Sequence, residues 1–68
     1  MYIYRVVAST DRNGAPTFGL ALYDGDSLLR VMPGLSTDRP GLERLARLFT
    51  KEQVAPVHME DVVEDMVE

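Results

Sequence analysis

The stretch "RNGAPTFGLALYDGDS", residues 12–27, sets an apolar run between two turn dipeptides, Asn13-Gly14 and Asp24-Gly25. Both dipeptides tolerate the positive φ of type I′ hairpin turns, so the stretch reads as a strand entered and left through tight reversals. Upstream, "YIYRVVAST" alternates: Tyr2, Tyr4, Val6 and Ala8 point one way, and Ile3, Arg5, Val7 and Ser9 the other. Downstream, "DSLLRVM" supplies a third extended run. The pattern predicts three antiparallel strands near residues 2–10, 17–24 and 27–32.

Two-residue turns fix a register. With Arg12 paired to Ala15, Val7 faces Leu20, Ser9 faces Phe18 and Tyr4 faces Tyr23. With Tyr23 paired to Asp26, Leu20 faces Leu29 and Phe18 faces Val31. One face then collects Ile3, Val7, Phe18, Leu20, Leu22, Leu29 and Val31, the expected core. The other collects Tyr2, Tyr4, Val6, Ala8, Gly19, Ala21, Tyr23, Leu28, Arg30 and Met32. A slip of one residue at either turn exchanges side chains between the faces, and Pro16 weakens the first loop's assignment.

After Gly34 the period changes. Leu42, Leu45, Ala46 and Phe49 fall at i, i+3, i+4 and i+7, an amphipathic helix over about residues 38–52. Ser36, Thr37 or Asp38 caps it, and Pro40 is tolerated in its first turn. Its outer face carries Arg44, Arg47 and Lys51, with Glu43 and Arg47 spaced for an ion pair. A second stripe, Met59, Val62, Val63, Met66 and Val67, predicts a helix over residues 57–67, entered at Pro56. The expected architecture is α+β: a three-stranded antiparallel meander followed by two amphipathic helices packed on the sheet, one small domain over residues 1–68.

Size and charge set limits. A chain of 68 residues buries only about 60% of the surface its unfolded form exposes. There are no cysteines, which removes disulfides, thiolate metal sites and thiol nucleophiles, and fits a reducing cytoplasm. The net charge of −4 opposes binding to a phosphate backbone, so nucleic acid is not an expected partner. No apolar run is long enough for a membrane span, and Arg5 interrupts the place of a signal peptide's apolar core.

Residues Ser36, Thr37, Asp38 and Arg39, followed by Pro56, His58, Glu60, Asp61, Val62, Glu64 and Asp65, form a distinctive pair of segments. Over about residues 36–68 the chain resembles an uncharacterised family of short clostridial-type bacterial proteins. These share a Ser-Thr-Asp-Arg helix start and a Pro-x-His-x-Glu-Asp-Val-x-Glu-Asp ending. Pro40-Gly41 depart from the helix formers expected there. The resemblance implies a shared fold and brings no activity, cofactor or site with it.

The acidic ending is the most conspicuous local feature, with five of the eleven acidic residues and the single histidine in residues 57–68. On a helix, His58, Asp61 and Asp65 share an edge and have the donor types of a zinc or manganese site. A solvated acidic face is the simpler reading, because metal sites draw ligands from more than one element. Glu60, Glu64 and Glu68 repel one another along that face. Arg44, Arg47 and Lys51 on the first helix, or a partner, are the candidate counter-charges. No serine, threonine or histidine sits in a nucleophile's context, and the "PGLSTDR" helix start lacks a phosphate loop's lysine and glycines, so neither an enzyme nor a bound cofactor is expected.

The second sheet face is the stronger clue. A sheet that faces water on one side should alternate apolar with polar residues. Here that face is rich in Tyr, Val, Ala and Leu. The expected function is a small non-enzymatic protein-interaction module, homodimeric through Tyr2, Tyr4, Val6, Tyr23, Leu28 and Arg30, or bound there to another protein. The alternative is a metal- or small-ligand-binding regulatory domain using His58 and the acidic helix.

Overall fold

The first reversal does not close as a two-residue turn. In the computed structural model, which describes residues 1–59 and 61, the Asp11 N–H donates to the Ala15 carbonyl (2.9 Å) and the Gly14 N–H to the Asp11 carbonyl (3.1 Å). Arg12, Asn13 and Gly14 therefore form a three-residue loop. A type I′ turn needs positive φ at both central residues. Gly14 has φ 78°, but Asn13 is not in the left-handed region. The Asp11 carboxylate fastens the longer loop by accepting from the Asn13 and Ala15 N–H groups at 2.8 and 2.9 Å.

That added residue slips the register of strand β1 (Tyr2–Thr10) against β2 (Pro16–Asp24) by one. Tyr4 opposes Leu22, Val6 opposes Leu20 and Ala8 opposes Phe18, where the sequence pattern predicted Tyr23 opposite Tyr4. The second reversal also shifts. Its central residues are Gly25 and Asp26, with Asp24 opposite Ser27. Positive φ occurs at Gly25 alone, the pattern of a type II′ turn.

Strand β3 (Ser27–Ser36) runs antiparallel to β2, giving the sheet order β1-β2-β3. It extends past the expected end at residue 32 through an irregularity: Leu20 opposes Met32 and Phe18 opposes Ser36, so residues 33–35 all lie against Gly19. Pro33 is acceptable there because β3 is an edge strand.

Helix α1 (Arg39–Glu52) follows, as its apolar spacing predicts. Asp38 is its N-cap, its side chain accepting from the Gly41 N–H (3.1 Å). Arg39 Nε donates to Glu43 Oε1 (2.9 Å), so Glu43 pairs with the residue one turn before it rather than with Arg47. Leu42, Ala46 and Phe49 pack on Tyr4, Leu20 and Leu22, with Leu45, Tyr2, Val6, Phe18, Met32 and Leu35 at the margins of this core. Residues 56–59 form one more helical turn, closed by the Met59 N–H on the Ala55 carbonyl (3.0 Å). Met59 is fully buried in the same core. The remainder of the helix expected over 57–67, Asp61 apart, lies outside the described residues, as does most of its acidic face.

The end of α1 is tied to the free edge of β1. Gln53 adopts φ 51°, and the Val54 and Gln53 N–H groups return to the Phe49 and Thr50 carbonyls, a Schellman closure with a non-glycine residue at its left-handed position. The Gln53 amide then acts as a strand surrogate. Oε1 accepts from the Tyr2 N–H (2.8 Å), and Nε2 donates to the carbonyls of Tyr2 (2.9 Å) and Thr50 (2.6 Å). One turn earlier, Thr50 Oγ1 accepts from the Tyr4 N–H (2.9 Å).

The left-handed backbone costs about 1–2 kcal/mol for a residue with a Cβ, and each net hydrogen bond returns about 0.5–1.5 kcal/mol. Gln53→Ala keeps the backbone cost and loses the bonds, whereas Gln53→Gly loses both. The alanine variant should therefore unfold at lower denaturant than the glycine variant. Tyr2 amide exchange should be accelerated in both, and equal midpoints would show that the cap is unstrained.

Candidate interaction face

Because α1 covers only the Tyr4–Leu20–Leu22 side, the opposite sheet face has no layer of described residues over it. Cross-strand partners share a face. The register therefore places Ile3, Tyr23 and Leu28 in one row and Arg5, Ala21 and Val31 in the next, with Val7 against Gly19 beyond them. Ser9 and Thr17 close the far end, hydroxyl to hydroxyl at 2.9 Å. Leu28 and Val31 are 53% and 47% exposed, and Leu29, the extra residue at the second irregularity, is 45% exposed. Ile3, Val7 and Tyr23 are half-buried, and small Ala21 is covered by its larger neighbours. The charge in these rows is Arg5, whose guanidinium carbon stands 5.7 Å from the centre of the Tyr23 ring. This is the cation–π geometry that flattens a long side chain onto an aromatic face.

The alternation expected from the sequence differs by one residue from the observed register, so the open face carries different residues from those expected. Of the six residues expected on this face, Tyr23 and Leu28 lie on it. Tyr4 is 4% exposed and central to the core, and Tyr2 and Val6 pack against that core. Arg30 opposes Leu22, so its register position is on the α1 side. Ile3, Val7 and Val31, expected inside, are on the open face instead. The one-residue slip at the Asp11–Ala15 loop accounts for every exchange on β1.

His58 and Asp61 are both exposed, and Asp65 lies outside the described residues. Among the described residues no three His, Asp or Glu side chains group to hold a metal ion, and no helix is long and apolar enough to cross a membrane. Tyr4 has a perturbed titration. Burial, with a smaller contribution from Tyr2, raises its phenol above the usual value of 10.0. Its hydroxyl donates to the Val54 carbonyl, tying β1 to the segment after α1.

A family model described as a family of unknown function, DUF6514, matches residues 1–68, and the chain belongs to that family. No curated protein and no solved structure matches it.

Proposed function

We propose that this member of a family of unknown function is a small, non-enzymatic interaction module that pairs with a second copy of itself through the open face of its sheet. The observation that carries the reading is that Leu28 and Val31 stand exposed beside Ile3, Val7 and Tyr23 on a face where a solvated sheet would place polar residues. A two-fold contact is the simplest closed arrangement, since one patch serves both copies. Strands spaced about 4.8 Å apart and rising about 3.3 Å per residue give this face about 400 Å², so a pair buries on the order of 800 Å². That is at the weak, reversible end of specific interfaces. In this proposal the protein is bacterial and cytoplasmic, one of the short clostridial-type proteins that its Ser-Thr-Asp-Arg and Pro-x-His-x-Glu-Asp segments resemble.

The test is a concentration series by sedimentation and thermal melting. The native chain should show a rising average mass and a rising melting temperature with concentration. Val31→Glu and Leu28→Glu should abolish both trends while keeping the native circular dichroism, because both side chains point out of the core. A monomer at every concentration would refute the pairing.

A further inference from the structure

We propose that the unclosed part of the β1 edge, with the groove between β1 and α1, takes an extended acidic peptide of another protein as a fourth strand. The backbone N–H groups of Tyr2 and Tyr4 point away from β2, since they are bonded by Gln53 and Thr50. Antiparallel pairing alternates, so every second residue of β1 has the same orientation. Val6 and Ala8 therefore present their N–H and C=O groups to that same edge. Thr50 and Gln53 close only the first two rungs. At Val6 and Ala8 no described residue supplies the partner bond, and a strand edge of this kind is a template for β-augmentation.

Beside these open rungs lies a groove of about 380 Å³, floored by Val6 and walled by Arg39, Glu43, Ala46 and Arg47 of α1. Arg39 is held by Glu43, and its guanidinium carbon also stands 5.8 Å from the Phe18 ring centre. Among the described residues Arg47 makes no hydrogen bond or ion pair, and the groove's lining, with Arg5, Arg39 and Arg47 against Glu43 alone, is net positive. Backbone rungs select an extended chain, and the arginine selects carboxylate side chains on it.

A second copy fits this edge poorly. Two-fold β1–β1 pairing would set the two α1 helices on the same side of a continuous sheet, with their Arg39 and Arg47 flanks facing each other. The occupant is accordingly a different, acidic segment, and its site is separate from the open sheet face.

The probe is a blocked synthetic peptide alternating aspartate and valine, titrated into the ¹⁵N-labelled full chain. The Val6 and Ala8 amides should shift downfield and gain exchange protection, with Arg47 side-chain signals moving in parallel. Arg47→Glu should weaken binding about tenfold or more, as loss of a charge-assisted bond implies, and a lysine–valine peptide should not bind. Ala8→Pro removes a donor that points away from β2, so the sheet is retained while the peptide shifts vanish. Unmoved Val6 and Ala8 amides at millimolar peptide, shifts confined to the open face, or binding unchanged in Arg47→Glu would each overturn the proposal. Concentration-dependent shifts at Val6 and Ala8 without peptide would overturn it in favour of a second copy.

Discussion

Gly19→Ala should leave the protein unfolded at room temperature. A Cβ at this position would lie inside the contact distance of the Met32 carbonyl oxygen, 2.7 Å from Pro33 Cα and 2.9 Å from the Met32 carbonyl carbon. All three are backbone atoms, so no side chain can swing aside. β3 would have to retreat, yet it is pinned on both sides of the clash by Leu20 opposite Met32 and Phe18 opposite Ser36. Overpacking costs about 1–3 kcal/mol, more when the backbone must move. A single core of this size supplies about 3–5 kcal/mol in all. Gly14→Ala is the control. Nothing lies within 4 Å of its added Cβ, and only the left-handed φ of 78° opposes it, at about 1–2 kcal/mol. Circular dichroism and urea titration should show the Gly14 variant folded and weakened, and the Gly19 variant without a transition. A Gly19→Ala midpoint equal to that of the native chain would mean that β3 does not press on β2 there.

Gly19 also shows what the sequence could and could not reveal. An isolated glycine inside a strand pattern signals a bulge or a close backbone approach, so the irregularity after Met32 was announced in β2 rather than in β3. The three strands and α1 were legible because alternation and the 3.6-residue spacing of Leu42, Leu45, Ala46 and Phe49 are unambiguous. Both reversals were legible from Asn13-Gly14 and Asp24-Gly25. Loop length was not, because Asn-Gly also serves as the end of a three-residue loop when a preceding carboxylate, here Asp11, can accept the free N–H groups.

One residue did point to the true register. The expected alternation put Arg5, in the middle of β1, on the same side as Ile3 and Val7, that is, inside the core. Burying an unpaired guanidinium is far more costly than exposing a valine. Moving Arg5 outward brings Tyr4 inward, which is the observed arrangement. The apolar character of the open face survived the slip because both sides of β1 are nearly as hydrophobic as each other, which is also why hydrophobic pattern alone could not choose between them.

Tyr4 is where that choice has the largest consequence. Its ring meets Phe49 edge-to-face, centroids 5.2 Å apart at 77°, and its hydroxyl donates to the Val54 carbonyl, joining β1 to the chain beyond α1. Tyr4→Ala removes a buried aromatic, a loss of about 3–5 kcal/mol, and should abolish cooperative unfolding; Tyr4→Glu should do the same. Tyr4→Phe keeps the ring and strands the Val54 carbonyl, a loss of about 1–3 kcal/mol. At about 4–8 °C per kcal/mol for a domain of this size, its melting temperature should fall by at least several degrees at neutral pH. The pH dependence separates the hydroxyl from the packing. Burial, and then Tyr2, raises the folded phenol above 10.0, so folding favours the protonated form. The stabilisation is complete below the unfolded pKa of about 10 and is lost as pH rises through the folded value. The gap between native chain and Tyr4→Phe should therefore be constant from pH 6 to about 9 and narrow above about 10. A gap that holds its size into strong alkali would show that the phenol is not the proton donor to Val54.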